Sequence, residues 1–154
     1  MHRRALEIRE KVLGRENPDT VNSVCNLAVT FSSLRKYDEA EAMHRRALET
    51  REKVLGPEHP ATLNSINNLG LALSDLGKYE EAEAMHRRAL EIEEKVLGPE
   101  HPDTINSVKN LAFVLSSVGK HDEAQAMHRR TLKSGKRRRG PRIHIPSPAP
   151  TISQ

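Results

Sequence analysis

The side chains able to do chemistry recur at a fixed interval. Met-His-Arg-Arg begins at Met1, Met43, Met85 and Met127, 42 residues apart each time, which makes His44, His86 and His128 equivalent imidazoles. Imidazoles invite a metal ion. Equivalent residues on helices packed about 8–10 Å apart, however, cannot share an ion held at about 2 Å. No Cys pair, His-Glu-x-x-His or acidic loop accompanies them, so neither a metal nor a cofactor is expected. The histidines read as packing residues, with Arg45, Arg46 and their equivalents pairing with Glu on an outer face. His59 and His101 read as loop residues between prolines. The lone Cys25 cannot form an internal disulfide, fits a reducing compartment and has no activating neighbour in the sequence. A Gly-rich phosphate loop, a nucleophile elbow and a distinctive carboxylate pair are all missing, so the chain is not expected to be an enzyme.

What remains is amide chemistry. Asn22, Asn64 and Asn106 form one invariant column of the repeat, and Asn26, Asn68 and Asn110 form a second, four residues on. Asn residues four apart on a helix share a face, and each amide both donates and accepts. Three such layers could hold the backbone of an extended peptide without reading its sequence. Beside them the repeats differ from one another, at Cys25/Asn67/Lys109 and at Ser33/Asp75/Ser117, with Val29/Leu71/Phe113 between. Positions 25, 29 and 33 lie on one stripe of a helix. Variation there would give each repeat its own contact on a constant scaffold.

The elements that position these residues follow from the punctuation. Each period reads as two helices, the first opening after a Pro-containing turn such as Gly56-Pro57-Glu58-His59-Pro60. Asp19 and Asp103, or the Thr after each, stand where an N-cap is wanted, and Thr62 takes that role in the second period, which has Ala61. Val24, Leu27, Ala28 and Phe31 mark the buried face of the first helix. Gly77-Lys78 and Gly119-Lys120 turn the chain into the second helix, with Arg35 in place of Gly in the first period. Ala40, Met43, Ala47 and Leu48 give that second helix its apolar stripe, and small residues at facing positions let antiparallel helices approach closely. The expected division is an orphan second helix at 1–14, repeats at 15–56, 57–98 and 99–132, and a basic, Pro-rich disordered tail at 133–154. Neither end reads as the polar cap of a solenoid, so the chain is expected to be a segment of a longer array, or a structural piece that self-associates through uncapped ends.

Asn26 to Phe31, Asn68 to Leu73 and Asn110 to Leu115 carry Asn-Leu-Ala/Gly-x-x-Phe/Leu, followed by Lys-Tyr-Asp/Glu-Glu-Ala at 36–40 and 78–82 and by Ala-Leu-Glu at 47–49 and 89–91. In these features the sequence resembles tetratricopeptide repeat proteins over about residues 1–132. The 42-residue period, ending Lys-Val-Leu-Gly-Pro-Glu-His-Pro, is similar to kinesin light chain repeats and to the near-identical arrays of some fungal NOD-like receptors. One departure is His44, His86 and His128 where the family often has a large aromatic, which makes the packing there slightly polar. The resemblance implies an all-α right-handed solenoid of antiparallel helix pairs. It also implies a protein or peptide ligand in a concave groove lined by the first helices, with the stripe of positions 25, 29 and 33 facing it. The expected role is a scaffold or recognition module, a fragment of a larger adaptor or receptor-like protein.

The net charge of +4 is unevenly placed. Six cations and no anion lie from Lys133 onward, leaving 19 of the 25 cations against all 21 anions on residues 1–132, a net of −2. Lys136, Arg137, Arg138 and Arg139 form a patch of nuclear-localisation or nucleic-acid type. Nucleic-acid or import-receptor binding through that tail is therefore the alternative function, although no aromatics interleave for base stacking. No apolar run approaches a membrane span, and charges occupy the N-terminal stretch where a secretory core would lie. The expected location is cytoplasmic, with the nucleus open through the tail.

Overall fold

The computed structural model describes residues 2–139. Those residues form seven helices and no strand: α1 (His2–Leu13), α2 (Pro18–Ser33), α3 (Tyr37–Leu55), α4 (Pro60–Asp75), α5 (Tyr79–Val96), α6 (Pro102–Ser117) and α7 (His121–Arg139). Each helix packs on its neighbours in sequence, so the chain stacks the pairs α2/α3, α4/α5 and α6/α7 behind α1. The fold is the all-α solenoid expected. Two first helices, α4 and α6, also touch one another, while α3 and α5 make no comparable approach.

The helix starts correct the sequence expectation. The N-caps are Asn17, His59 and His101, each directly before a proline in the first turn, and not Asp19, Asp103 or Thr62. Proline has a preset helical φ and no N–H, which suits the first helical position and puts the cap one residue earlier. The N–H of Asp19 donates to Asn17 Oδ1 (2.9 Å), that of Ala61 to His59 Nδ1 (3.0 Å) and that of Asp103 to His101 Nδ1 (3.1 Å). His59 and His101 are thus capping groups rather than plain loop residues. The displaced Thr residues are buried, and Thr20 and Thr62 tie their helices to the preceding second helix, whereas Thr104 Oγ1 has no partner among the described residues. Thr62 Oγ1 donates to the carbonyl of Arg51 (3.3 Å).

The turn between paired helices needs a left-handed residue. Gly77 (φ 75°) and Gly119 (φ 84°) supply it without a Cβ penalty, and Arg35 is forced to φ 59° in the first period. The apolar stripes then meet. Val24, Leu27, Ala28 and Phe31 are buried with Ala40, Ala47 and Leu48, and Met43 is half-buried against them. Deeper in the stack Ile66, Leu69 and Leu73 pack with Ala82, Ala89 and Leu48, so the core is continuous from one repeat to the next. His44 and His86 are buried, as packing residues should be. The His86 ring occupies the space where Gly70 lacks a side chain, since a Cβ there would lie 2.7 Å from the imidazole. His128 departs from the expectation and is exposed, because no described helix covers that face of α7.

Ion pairs repeat with the same stagger across the interfaces. Arg45 Nη2 meets Glu81 Oε2 (2.7 Å) and Arg87 Nη2 meets Glu123 Oε2 (2.6 Å). Arg46 pairs backwards with Glu10, Arg88 with Glu52 and Arg130 with Glu94. More buried are Glu41, which receives Lys78 Nζ (3.0 Å) and Arg45, and Glu83, which receives Lys120 Nζ (3.1 Å) and Arg87. Burial pushes both carboxyls up, yet the paired cations outweigh it and hold them below the usual range. Each exposed pair is worth at most about 1 kcal/mol, so the ladder mainly sets register between repeats.

The last helix runs past residue 132, where the expected repeat boundary lies. α7 continues through Lys133 to Arg139, so Lys136, Arg137, Arg138 and Arg139 carry helical backbone. Lys and Arg are good helix formers, and the stop signal Gly140-Pro141 comes only after them. The rest of the expected tail lies outside the described residues.

Candidate functional site

The first helices carry the two polar columns. Asn26, Asn64 and Asn106 are exposed, and Asn68 and Asn110 are half-buried. Among the described residues no side-chain hydrogen bond engages any of these five amides. A cleft of about 750 Å³ between α4, α5 and α6 gathers Asn64, Asn67, Asn68, Leu71, Asn106 and Asn110 on its walls, with Glu93 from α5. Apolar side chains stand on the same helices, with Val29 55%, Leu71 46% and Phe113 62% exposed.

Other residues singled out from the sequence sit apart from this cleft. Asn22 is exposed but engaged, its Oδ1 accepting from Arg51 Nη2 (3.1 Å). Cys25 is half-buried; burial pushes its thiol up and Arg51 only partly opposes this, so the sulfur stays protonated and poorly nucleophilic. Ser33 and Ser117 donate to the carbonyls of Val29 (3.1 Å) and Phe113 (3.0 Å) on their own helices, which leaves them little to offer a ligand. Asp75 and Lys109 are exposed.

Sequence reasoning passed over the pair that shapes the walls, Arg51 and Glu93, which are equivalent positions of successive repeats. Arg51 Nη1 donates to the Ala61 carbonyl (3.1 Å) and to Ser65 Oγ (2.8 Å), filling the wall beside Asn22 and leaving a cleft of only about 240 Å³ there. Glu93 is 2% exposed. Asn67 Nδ2 donates to its Oε1 (3.1 Å), and Ser107 Oγ donates in turn to Asn67 Oδ1 (3.4 Å). The second oxygen, Oε2, is buried with no hydrogen-bond partner. Burial pushes this carboxyl up, against the opposing effect of Ser107 and Asn67. The signal was in the text of the repeats, which reads Arg9-Glu10 and Arg51-Glu52 but Glu93-Glu94.

Among the described residues no group of three His, Cys, Asp or Glu could hold a metal ion, and no helix is long and apolar enough to cross a membrane.

Comparison with known proteins gives the arrangement a family. Comparison with curated proteins finds no significant relative. Among solved structures the chain is similar to BtubC (BKLC) from P. vanneervenii, with a TM-score of 0.83 and 26% identity over 99% of this chain and 60% of that one. It is also similar to the nearly identical TPR-like repeats of a putative kinesin light chain from Podosopora anserina, with a TM-score of 0.82 and 25% identity over 91% of this chain and 66% of that one. A Rap protein complexed with Competence and Sporulation Factor shares the fold alone, at a TM-score of 0.72 and 22% identity, over 87% of this chain and 36% of that one. The chain therefore spans less than two thirds of the length of BtubC and of the Podosopora anserina repeats. A model of the tetratricopeptide repeat matches three overlapping stretches, residues 1–53, 26–95 and 67–136, and the chain belongs to that family.

Proposed function

We propose that this chain is a protein–protein interaction module that holds an extended segment of a partner protein against its first helices. Tetratricopeptide folds generally mediate protein–protein interaction. The observation that carries the finer reading is the set of unpartnered amides, Asn64, Asn68, Asn106 and Asn110, gathered on one cleft with Leu71. Amides spaced along successive helices match the alternating N–H and C=O groups of an extended backbone. Leu71 and Phe113, exposed on the same helices, supply apolar contact that differs from repeat to repeat. A scaffold or adaptor role, in which the repeats recruit a partner to a longer protein, follows from this mode of binding.

The test uses peptides selected against the chain from displayed random twelve-residue sequences. The double change Asn68→Ala and Asn110→Ala should weaken their binding about tenfold, the loss of one or two hydrogen bonds. Ala is the better helix former, so circular dichroism should show the fold retained. Unchanged affinity would remove the amides from the binding site.

A further inference from the structure

The cleft between α4, α5 and α6 is predominantly acidic. Three carboxyl groups line it, those of Glu58, Glu93 and Asp103, with His101 beside Asp103 and neither Lys nor Arg. Glu58 is neutralised from outside by Lys95 Nζ (2.9 Å), and Asp103 stands at an exposed helix start. Glu93 is different, because it lies at the floor, almost wholly buried, with Oε2 unpartnered. An uncompensated buried carboxylate oxygen costs stability that a packed scaffold has no reason to accept. The two preceding repeats avoid that cost by placing Arg9 and Arg51 at the same position, where both find acceptors in the protein itself.

We propose that the cleft is a pocket for a cationic side chain, a Lys or Arg of the bound segment, whose charged group donates to Glu93 Oε2. The proposal rests on the groove reading above and deepens it by naming the chemistry of one ligand position. A metal ion is a poorer occupant, since among the described residues no set of three ligands surrounds the carboxylate. A Lys or Arg side chain needs only one buried acceptor and an apolar passage for its methylenes, which Leu71, Val96 and Leu97 line.

Selection of displayed random twelve-residue peptides against the full chain tests it. Wild type should enrich peptides with Lys or Arg at one fixed position, and replacing that residue by norleucine in a synthetic peptide should weaken binding about tenfold. The same selection on Glu93→Gln, which keeps a carbonyl for Asn67, should lose the basic preference. On Glu93→Arg, which copies Arg51, it should exclude basic residues at that position. Enrichment of peptides without a basic position, or norleucine peptides bound as tightly as their parents, would overturn the cationic pocket and leave the groove standing. A library that yields no binder at all would overturn both.

Discussion

Repeat one and repeat two carry nearly the same text, and three equivalent positions make them physically different objects. Where repeat one ends in Arg51, its guanidinium spans to the Ala61 carbonyl, Ser65 and Asn22 and plugs the inner wall. Where repeat two ends in Glu93, the shorter side chain accepts from Asn67 and leaves Oε2 without a partner in a cleft three times the volume. At the helix contact, the imidazole of His86 is fully buried against Gly70, while His44 keeps 4% exposure. At the inter-helix turn, Gly77 adopts freely the left-handed backbone that Arg35 is made to adopt. Repeats of constant geometry thus differ through a few residues: the many identical contacts keep the scaffold, and the exceptions change what the cleft walls offer.

The largest expected difference between the repeats is a response to acid. An unfolded imidazole titrates near 6.5, whereas burial lowers His86 to about 4. Between those values the unfolded chain takes up the proton and the folded chain does not, so stability present above pH 6.5 is lost as the pH falls toward 4. The window is worth about 3 kcal/mol for His86. Burial lowers His44 as well, so it acts in the same direction. Urea unfolding followed from pH 7 to pH 4 should show this loss, and His86→Leu should remove most of it. His44→Leu should remove less; equal effects would erase this part of the contrast.

A smaller effect is expected from exchanging the wall residues. Arg51→Glu deletes three donated hydrogen bonds and sets a carboxylate against the Ala61 carbonyl, which should cost about 2 kcal/mol. Adding Cys25→Asn, the amide that Glu93 has in Asn67, should restore about 1 kcal/mol of it by double-mutant cycle. Chemical denaturation measures both, and an Arg51→Glu variant as stable as wild type would show that repeat one does not depend on its plug.

The smallest change concerns the turn. Arg35→Gly should raise stability by about 0.5–1 kcal/mol, because a Cβ at positive φ is strained and Gly is not. Gly77→Arg should lower it by a similar amount. Thermal unfolding of the two variants would break the comparison if both shifted the midpoint the same way.

Much of the fold was legible because it is written locally and repeated. Helical spacing of Val24, Leu27, Ala28 and Phe31, and the Gly before Lys78 and Lys120, are short-range signals that each period states again. The caps were misplaced because Asp19 and Asp103 are attractive capping residue types, yet the proline before each outranks type: it must sit at the first helical position, so the cap falls on Asn17, His59 or His101. The Asn columns could be found as invariant positions, since invariance among internal repeats is visible without any relative. Arg51 and Glu93 could not be weighted properly, because their partners lie one helix or one repeat away.

Periodicity and turn chemistry, both carried by neighbouring residues, were enough to determine that this is an all-α stack of helix pairs with its charge concentrated at the C-terminal end. Which of the polar side chains are spent on the protein itself was decided by the stacking of repeats. Asn22 is taken by Arg51, Asn67 by Glu93, and the helices α4, α5 and α6 leave Asn64, Asn68, Asn106 and Asn110 free around one cleft. The reason is distance: a helix sets which residues share a face, but only packing across repeats sets which groups come within 3 Å of a partner.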